Sequence, residues 1–156
     1  MSKLLLGLLL GATLAGCSSP PRLTTSSGFS FAQVDTVAVA KATAADEAAL
    51  YGLDIQLGNL LSHCQLHVVG EKDLEALAPE ARARALVARL SLVTSDERRL
   101  LSLAFDGAAS HKTLASLTVV VRGDLLDARD RRDAFEPLAE AVIAAVERDK
   151  GVEIED

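Results

Sequence analysis

Two hydrophobic periods run along the chain. From Gln33 to Ala40, Val34, Thr36, Ala38 and Ala40 alternate with Asp35, Val37 and Val39. So short a β-branched run predicts a strand buried on both faces. The period then lengthens. Leu50, Leu53, Leu57, Leu60, Leu61 and Cys64 recur at steps of three and four, which predicts one apolar helix stripe over about 44–64. Thr43 and Asp46 open it with the spacing of a capping box. Gly52 and Gly58 each weaken such a helix by about 1 kcal/mol relative to Ala, so burial must hold it. Because Cys64 lies on the stripe, a buried core thiol is expected there.

Leu66–Gly70 reads as a second short strand, and Glu71–Ala78 as a short helix that Pro79 limits. Over 85–94, Leu86, Ala88, Leu90 and Leu92 alternate with Arg89 and Ser91, the pattern of a half-exposed strand. Leu100–Phe105 and Leu117–Leu126 are further strands, the latter with Leu117, Val119, Val121 and Leu125 on one side. Asp127–Asp133 reads as a charged turn. Glu136-Pro137 then opens a last helix, with Leu138, Val142, Ile143 and Val146 toward the core and Gly151 at its end. The order implies an α/β (α+β) fold: one domain over 29–156, a mixed sheet of about five strands with two main helices packed on it.

The N-terminus follows a different logic. Lys3, the apolar run Leu4–Thr13 and the small residues Ala15 and Gly16 have the layout of a secretory signal over 1–16. The run is too short to span a bilayer, which takes about 20 apolar residues. It ends in Leu14-Ala15-Gly16-Cys17, which resembles the bacterial lipoprotein box. That resemblance implies cleavage between Gly16 and Cys17 and a diacylglyceryl thioether on Cys17. Ser18 resembles the residue choice that permits export to the outer membrane. Residues 17–28, rich in Ser, Pro and Thr, read as a lipidated flexible tether of about 20 Å reach.

Composition limits what the domain can do. The chain has 156 residues and a net charge of −6; without the signal, 15 basic side chains face 22 acidic ones, a net of −7. That balance argues against a nucleic-acid partner, which needs a basic face. Five aromatic side chains leave few stacking platforms. With Cys17 acylated, Cys64 has no disulfide partner in the chain.

The strand 34–40, the Leu-striped helix and His67-Val-Val-Gly-Glu-Lys-Asp-Leu-Glu-Ala-Leu resemble the opening of TolB-N-terminal-like domains. Such domains occur in curli-secretion-type and penicillin-binding-protein-activator lipoproteins. Ala83-Arg-Ala-Leu-Val-Ala-Arg-Leu-Ser-Leu and Leu117-Thr-Val-Val-Val-Arg-Gly-Asp-Leu-Leu resemble their later strands. This chain departs from them at Gly70-Glu71-Lys72, where an acid–Arg pair is usual, at Arg84 in place of Asp, and in lacking a Thr-Gly turn. The resemblance spans about 33–150 and implies an envelope compartment.

Chemical motifs are sparse. His63, Cys64 and His67 form His-Cys-x-x-His, which could begin a zinc site, but the predicted helix stops near Cys64 and no fourth ligand is assigned. No metal or cofactor is expected. Asp124, Asp127, Asp130 and Asp133 recur every three residues, yet Arg129, Arg131 and Arg132 interrupt them. A solvated charged hairpin tip is expected there rather than a calcium loop, with Asp124, Asp127, Arg129, Asp130, Arg131 and Arg132 as a candidate partner surface. Neither a nucleophile elbow nor a phosphate loop occurs, and Ser110-His111 adjacency does not make a triad. The expected role is a membrane-anchored, non-enzymatic accessory that binds an envelope protein. The alternatives are a small-ligand or lipid-handling auxiliary, which needs a cavity between helix 44–64 and the sheet, and a hydrolase.

Overall fold

The computed structural model describes residues 20–43, 46–95 and 97–154. The signal, the Leu14–Cys17 box and Ser18 lie outside these residues, as do Ala44 and Ala45 of the expected helix.

Six strands form one mixed sheet: β1 (Thr24–Thr25), β2 (Thr36–Val39), β3 (His67–Val69), β4 (Ala85–Ser95), β5 (Arg98–Gly107) and β6 (Thr113–Val120). Their order is β1-β6-β5-β4-β2-β3. β2 runs parallel to both β3 and β4, while β4, β5, β6 and β1 are antiparallel neighbours. Four helices accompany them: α1 (Leu53–His63), α2 (Glu71–Glu75), α3 (Pro79–Ala83) and α4 (Ala128–Lys150). The expected α+β class holds, with β1 as an additional edge strand. Thr24 and Thr25, which the sequence assigns to the tether, pair with Ser116 and Ala115, and the Ser26 amide donates to Leu114 O at 2.8 Å. The folded domain thus begins near Leu23 rather than at residue 29.

Alternation in the long strands decides which face is covered. Leu86, Ala88 and Leu90 of β4, Leu101, Leu103 and Phe105 of β5, and Ala115 and Leu117 of β6 are buried. α1 and α4 lie over them, contributing Leu53, Leu57, Leu61, Leu138, Val142 and Val146 to one continuous core. Phe31, in a single 3-10 turn, packs edge-on against Phe29 (5.1 Å) and Phe105 (5.4 Å), pairs that typically add about 0.5–1.5 kcal/mol beyond area burial. A smaller cluster on the opposite face joins Ala38, Ala85 and Ala108 to Leu74 of α2.

Both main helices start elsewhere than the sequence suggests. Thr43 and Asp46 do bond, Thr43 Oγ1 donating to Asp46 Oδ2 at 3.2 Å, but they close a turn. Asp46 Oδ2 also accepts from the Leu92 amide at 3.4 Å, which ties this loop to the end of β4. α1 begins only after Gly52, whose φ of 79° lies in the left-handed region that glycine enters without steric cost. α4 begins earlier than expected, because Asp127 is its N-cap: the carboxylate accepts from the Arg129 and Asp130 amides. The charged hairpin tip is therefore the first two turns of a helix. Pro137 sits inside α4 rather than at its first turn. Gly151 ends α4 at a φ of 64°, as expected.

Candidate functional site

The sequence offers three places for function, and the structure treats each differently. At the start of α4, most of the charged side chains have structural work. Asp127 caps the helix, and the Asp130 amide followed by the Arg129 amide holds its carboxyl below the usual carboxylate range. Asp130 Oδ2 accepts from the Asp124 amide at 2.8 Å, closing the loop at Gly123, where φ is 85°. Asp124 accepts from the Leu126 amide at 3.0 Å and lies 3.9 Å from Arg99. Arg131 Nη1 donates to Tyr51 O at 3.0 Å, which joins α4 to the loop before α1. Arg129 and Arg132 are exposed and point outward from this scaffold.

The His-Cys-x-x-His run is split by burial. Cys64 follows the last turn of α1 with its thiol fully inside the core, and burial pushes that thiol up to about 11. His63 and His67 are exposed, on α1 and β3 respectively. Among the described residues, no group of three or more His, Cys, Asp and Glu could hold a metal ion. Ser110 and His111 occupy the β5–β6 turn, where Ser110 Oγ accepts from the Lys112 amide at 3.4 Å and the His111 amide donates to Gly107 O at 2.8 Å.

The space between α1 and the sheet is filled. Leu53, Leu57, Leu61 and Cys64 are wholly shielded, and they join the sheet's Val37, Leu101 and Leu103 in one cluster. An open groove of about 750 Å³ lies elsewhere, flanked by Pro21, Thr118–Val120, Arg122, Gly123 and the first turns of α4.

A further surface was not singled out by sequence. Among the described residues, no helix lies over most of the second face of β4–β6. Its cross-strand rows are Arg89, Ala104 and Ser116; Ser91, Ser102 and Thr118; and Val93, Leu100 and Val120. Thr118 Oγ1 donates to Ser102 Oγ at 3.2 Å, while Asp106 accepts from Thr113 Oγ1 at 2.7 Å and pairs with Arg89 at 2.9 Å. The clue in the sequence is the alternate set at the middle of these strands, Ser91, Ser102, Ala104, Ser116 and Thr118, small where the other set holds Leu90, Leu101, Leu103, Phe105 and Leu117.

A six-stranded mixed sheet with two long helices on one face defines an α+β domain. No family model and no curated protein matches the chain. Among solved structures it is similar to the PelC dodecamer from Paraburkholderia phytofirmans, at 17% identity over 78% of this chain and 95% of that one, with a TM-score of 0.47. It is also similar to a neuraminyllactose-binding hemagglutinin homolog from Helicobacter pylori, at 15% identity over 74% and 84%, with a TM-score of 0.38. Among the described residues, no helix is long and apolar enough to cross a membrane.

Proposed function

We propose that this chain is a lipid-anchored, non-enzymatic module of the cell envelope that binds another protein through the open face of β4–β6. The Leu14–Cys17 box supports the anchor. The observation that carries the protein-binding reading is the filled space beneath α1 combined with the uncovered sheet face. A small-ligand carrier needs an enclosed apolar cavity, whereas the side chains of Leu53, Leu57, Leu61 and Cys64 take up the room where one would lie. The open face carries small and hydroxyl side chains at its middle (Ser91, Ser102, Ala104, Ser116 and Thr118), Val93, Leu100 and Val120 toward one end, and Arg89 paired to Asp106. Such a surface can be approached closely at little cost in side-chain entropy. Tethering raises the effective concentration near membrane partners, so a modest contact suffices.

A photo-crosslinking residue at Ser102, on the open face, tests the reading against one at Glu140, on the exposed side of α4. The expected result is a defined protein adduct in the envelope from position 102 and none from 140, lost again when Thr118→Arg fills the face. Equal capture at both positions, or none at either, overturns the reading.

A further inference from the structure

The position of β1 determines where the lipid must sit. β1 is antiparallel to β6, with Thr24 opposite Ser116 and Thr25 opposite Ala115. The chain before it therefore runs toward the C-terminal end of β6, and Pro21 shares a groove with Thr118, Val119 and Val120. Cys17 is three residues from Pro20, at most about 11 Å even when fully extended. Any lipid on Cys17 is thus held at one end of the sheet.

That end has a common composition. β4 finishes there and β5 starts there, since Val93 pairs with Leu100 and Leu100 with Val120. The loop before α1 reaches it through Asp46, and α4 begins beside it through Arg131 and Tyr51 O. The large apolar side chains most exposed among the described residues all belong to this end: Tyr51 (76%), Ile55 (66%), Leu126 (64%), Val120 (50%) and Val93 (47%). Tyr51 and Leu126 flank one groove with Arg131, and Ile55, in the first turn of α1, shares a neighbouring groove with Tyr51. Scattered singly, exposed apolar residues need no explanation. Here they gather where the acyl chains must be. Arg22, Arg98, Arg99 and Arg122 stand exposed at the same end, suited to phosphate headgroups.

We propose that this end of the domain, presenting Tyr51, Ile55, Val93, Val120 and Leu126, rests in the interfacial layer of the membrane that holds the Cys17 lipid. An aromatic ring with a polar tip, aliphatic side chains and arginines match the chemistry of that layer. The strands then stand away from the bilayer, with the 11 residues of β4 reaching about 35 Å from it. The inference rests on the lipoprotein reading of Cys17.

The test uses the full, membrane-purified chain in phosphatidylethanolamine–phosphatidylglycerol vesicles that contain brominated acyl chains. A fluorophore is attached at Thr94→Cys, on the end in question, or at Ala109→Cys, on the far β5–β6 turn. The buried Cys64 stays unlabelled. Bromolipid quenching is expected to be at least about threefold stronger at position 94 than at 109. Tyr51→Ser combined with Val120→Asp and Leu126→Asp, all exposed positions, is expected to remove the difference. Mass spectrometry of the N-terminal peptide reports the lipid separately. A lipidated Cys17 with equal quenching at both sites overturns the docking alone, as does a protein crosslink at 94 without quenching. An unmodified Cys17 overturns the anchor and the docking together.

Discussion

The two faces of the β4–β6 sheet are built from the same three strands and answer to different constraints. On the covered face, Leu101, Leu103 and Phe105 are shielded by α1 and α4. On the open face, one residue away along the same strand, Leu100, Ser102 and Ala104 are only half-buried. Alternation with a period of two places these sets back to back, so a substitution's cost depends on which set it enters. The comparison teaches that covering, rather than strand propensity, fixes the identity of the residues inside. The outer set, partly open to solvent, is free of that packing constraint.

The largest expected effect lies on the covered side. Leu57→Ala or Leu103→Ala removes a wholly buried side chain and is expected to cost about 3–4 kcal/mol in denaturant unfolding. Ser102→Ala, back to back with Leu103, is expected to change stability by less than about 0.5 kcal/mol. Similar losses from the two would break the distinction between the faces. The second effect is at the entrance to α4. In Gly123→Ala the new Cβ meets the Asp130 carboxylate at a φ of 85°, so a loss of about 2 kcal/mol is expected, visible as a lower Tm.

The third prediction concerns pH. Burial raises the Cys64 thiol from 9.0 to about 11. The neutral thiol is favoured in the folded state, so its contribution is full below pH 9 and lost as pH rises from 9 to 11. Unfolding free energy should fall across that window by up to about 3 kcal/mol, and Cys64→Ala should flatten the fall. An equal fall in both chains would show that the thiol is not its source. The smallest effect is on the helix cap. Asp127→Ala should lower Tm modestly and Asp127→Ser should restore it, because either hydroxyl or carboxylate can accept the two amides. Since the Asp127 carboxyl is held below its usual range, its contribution is present above the ordinary carboxylate range and lost as pH falls beneath it.

These constraints explain how much of the fold can be read in sequence. β4 is legible because ten or so residues alternate without interruption, the Leu100–Phe105 part of β5 is legible from its shorter alternation, and the Leu53–Leu57–Leu61 stripe is legible at its own period. The start of α4 is not. Asp127–Asp133 carries no apolar periodicity, and its helix is set by an Asp cap and by Arg131 reaching Tyr51 O, a contact across 80 positions. β1 is hidden because two threonines pairing at an edge look like any polar linker. The open face is legible only in retrospect: Ser91, Ser102 and Ser116 mark a solvent side in any half-exposed strand, and the absence of a covering helix is a property of the assembled fold. The exposed apolar residues at the β6 C-terminal end of the sheet, scattered from Tyr51 to Leu126, come together only through topology.

The amide of Phe31 donates to Asp149 Oδ2 at 2.9 Å, a bond spanning 118 positions. The first aromatic cluster of the domain is therefore locked by the last turn of its last helix. A chain emerging N-terminus first cannot close this contact until nearly all of it has appeared, and closing so long a loop is slow. Completion of the core therefore waits on α4, the last of the described helices.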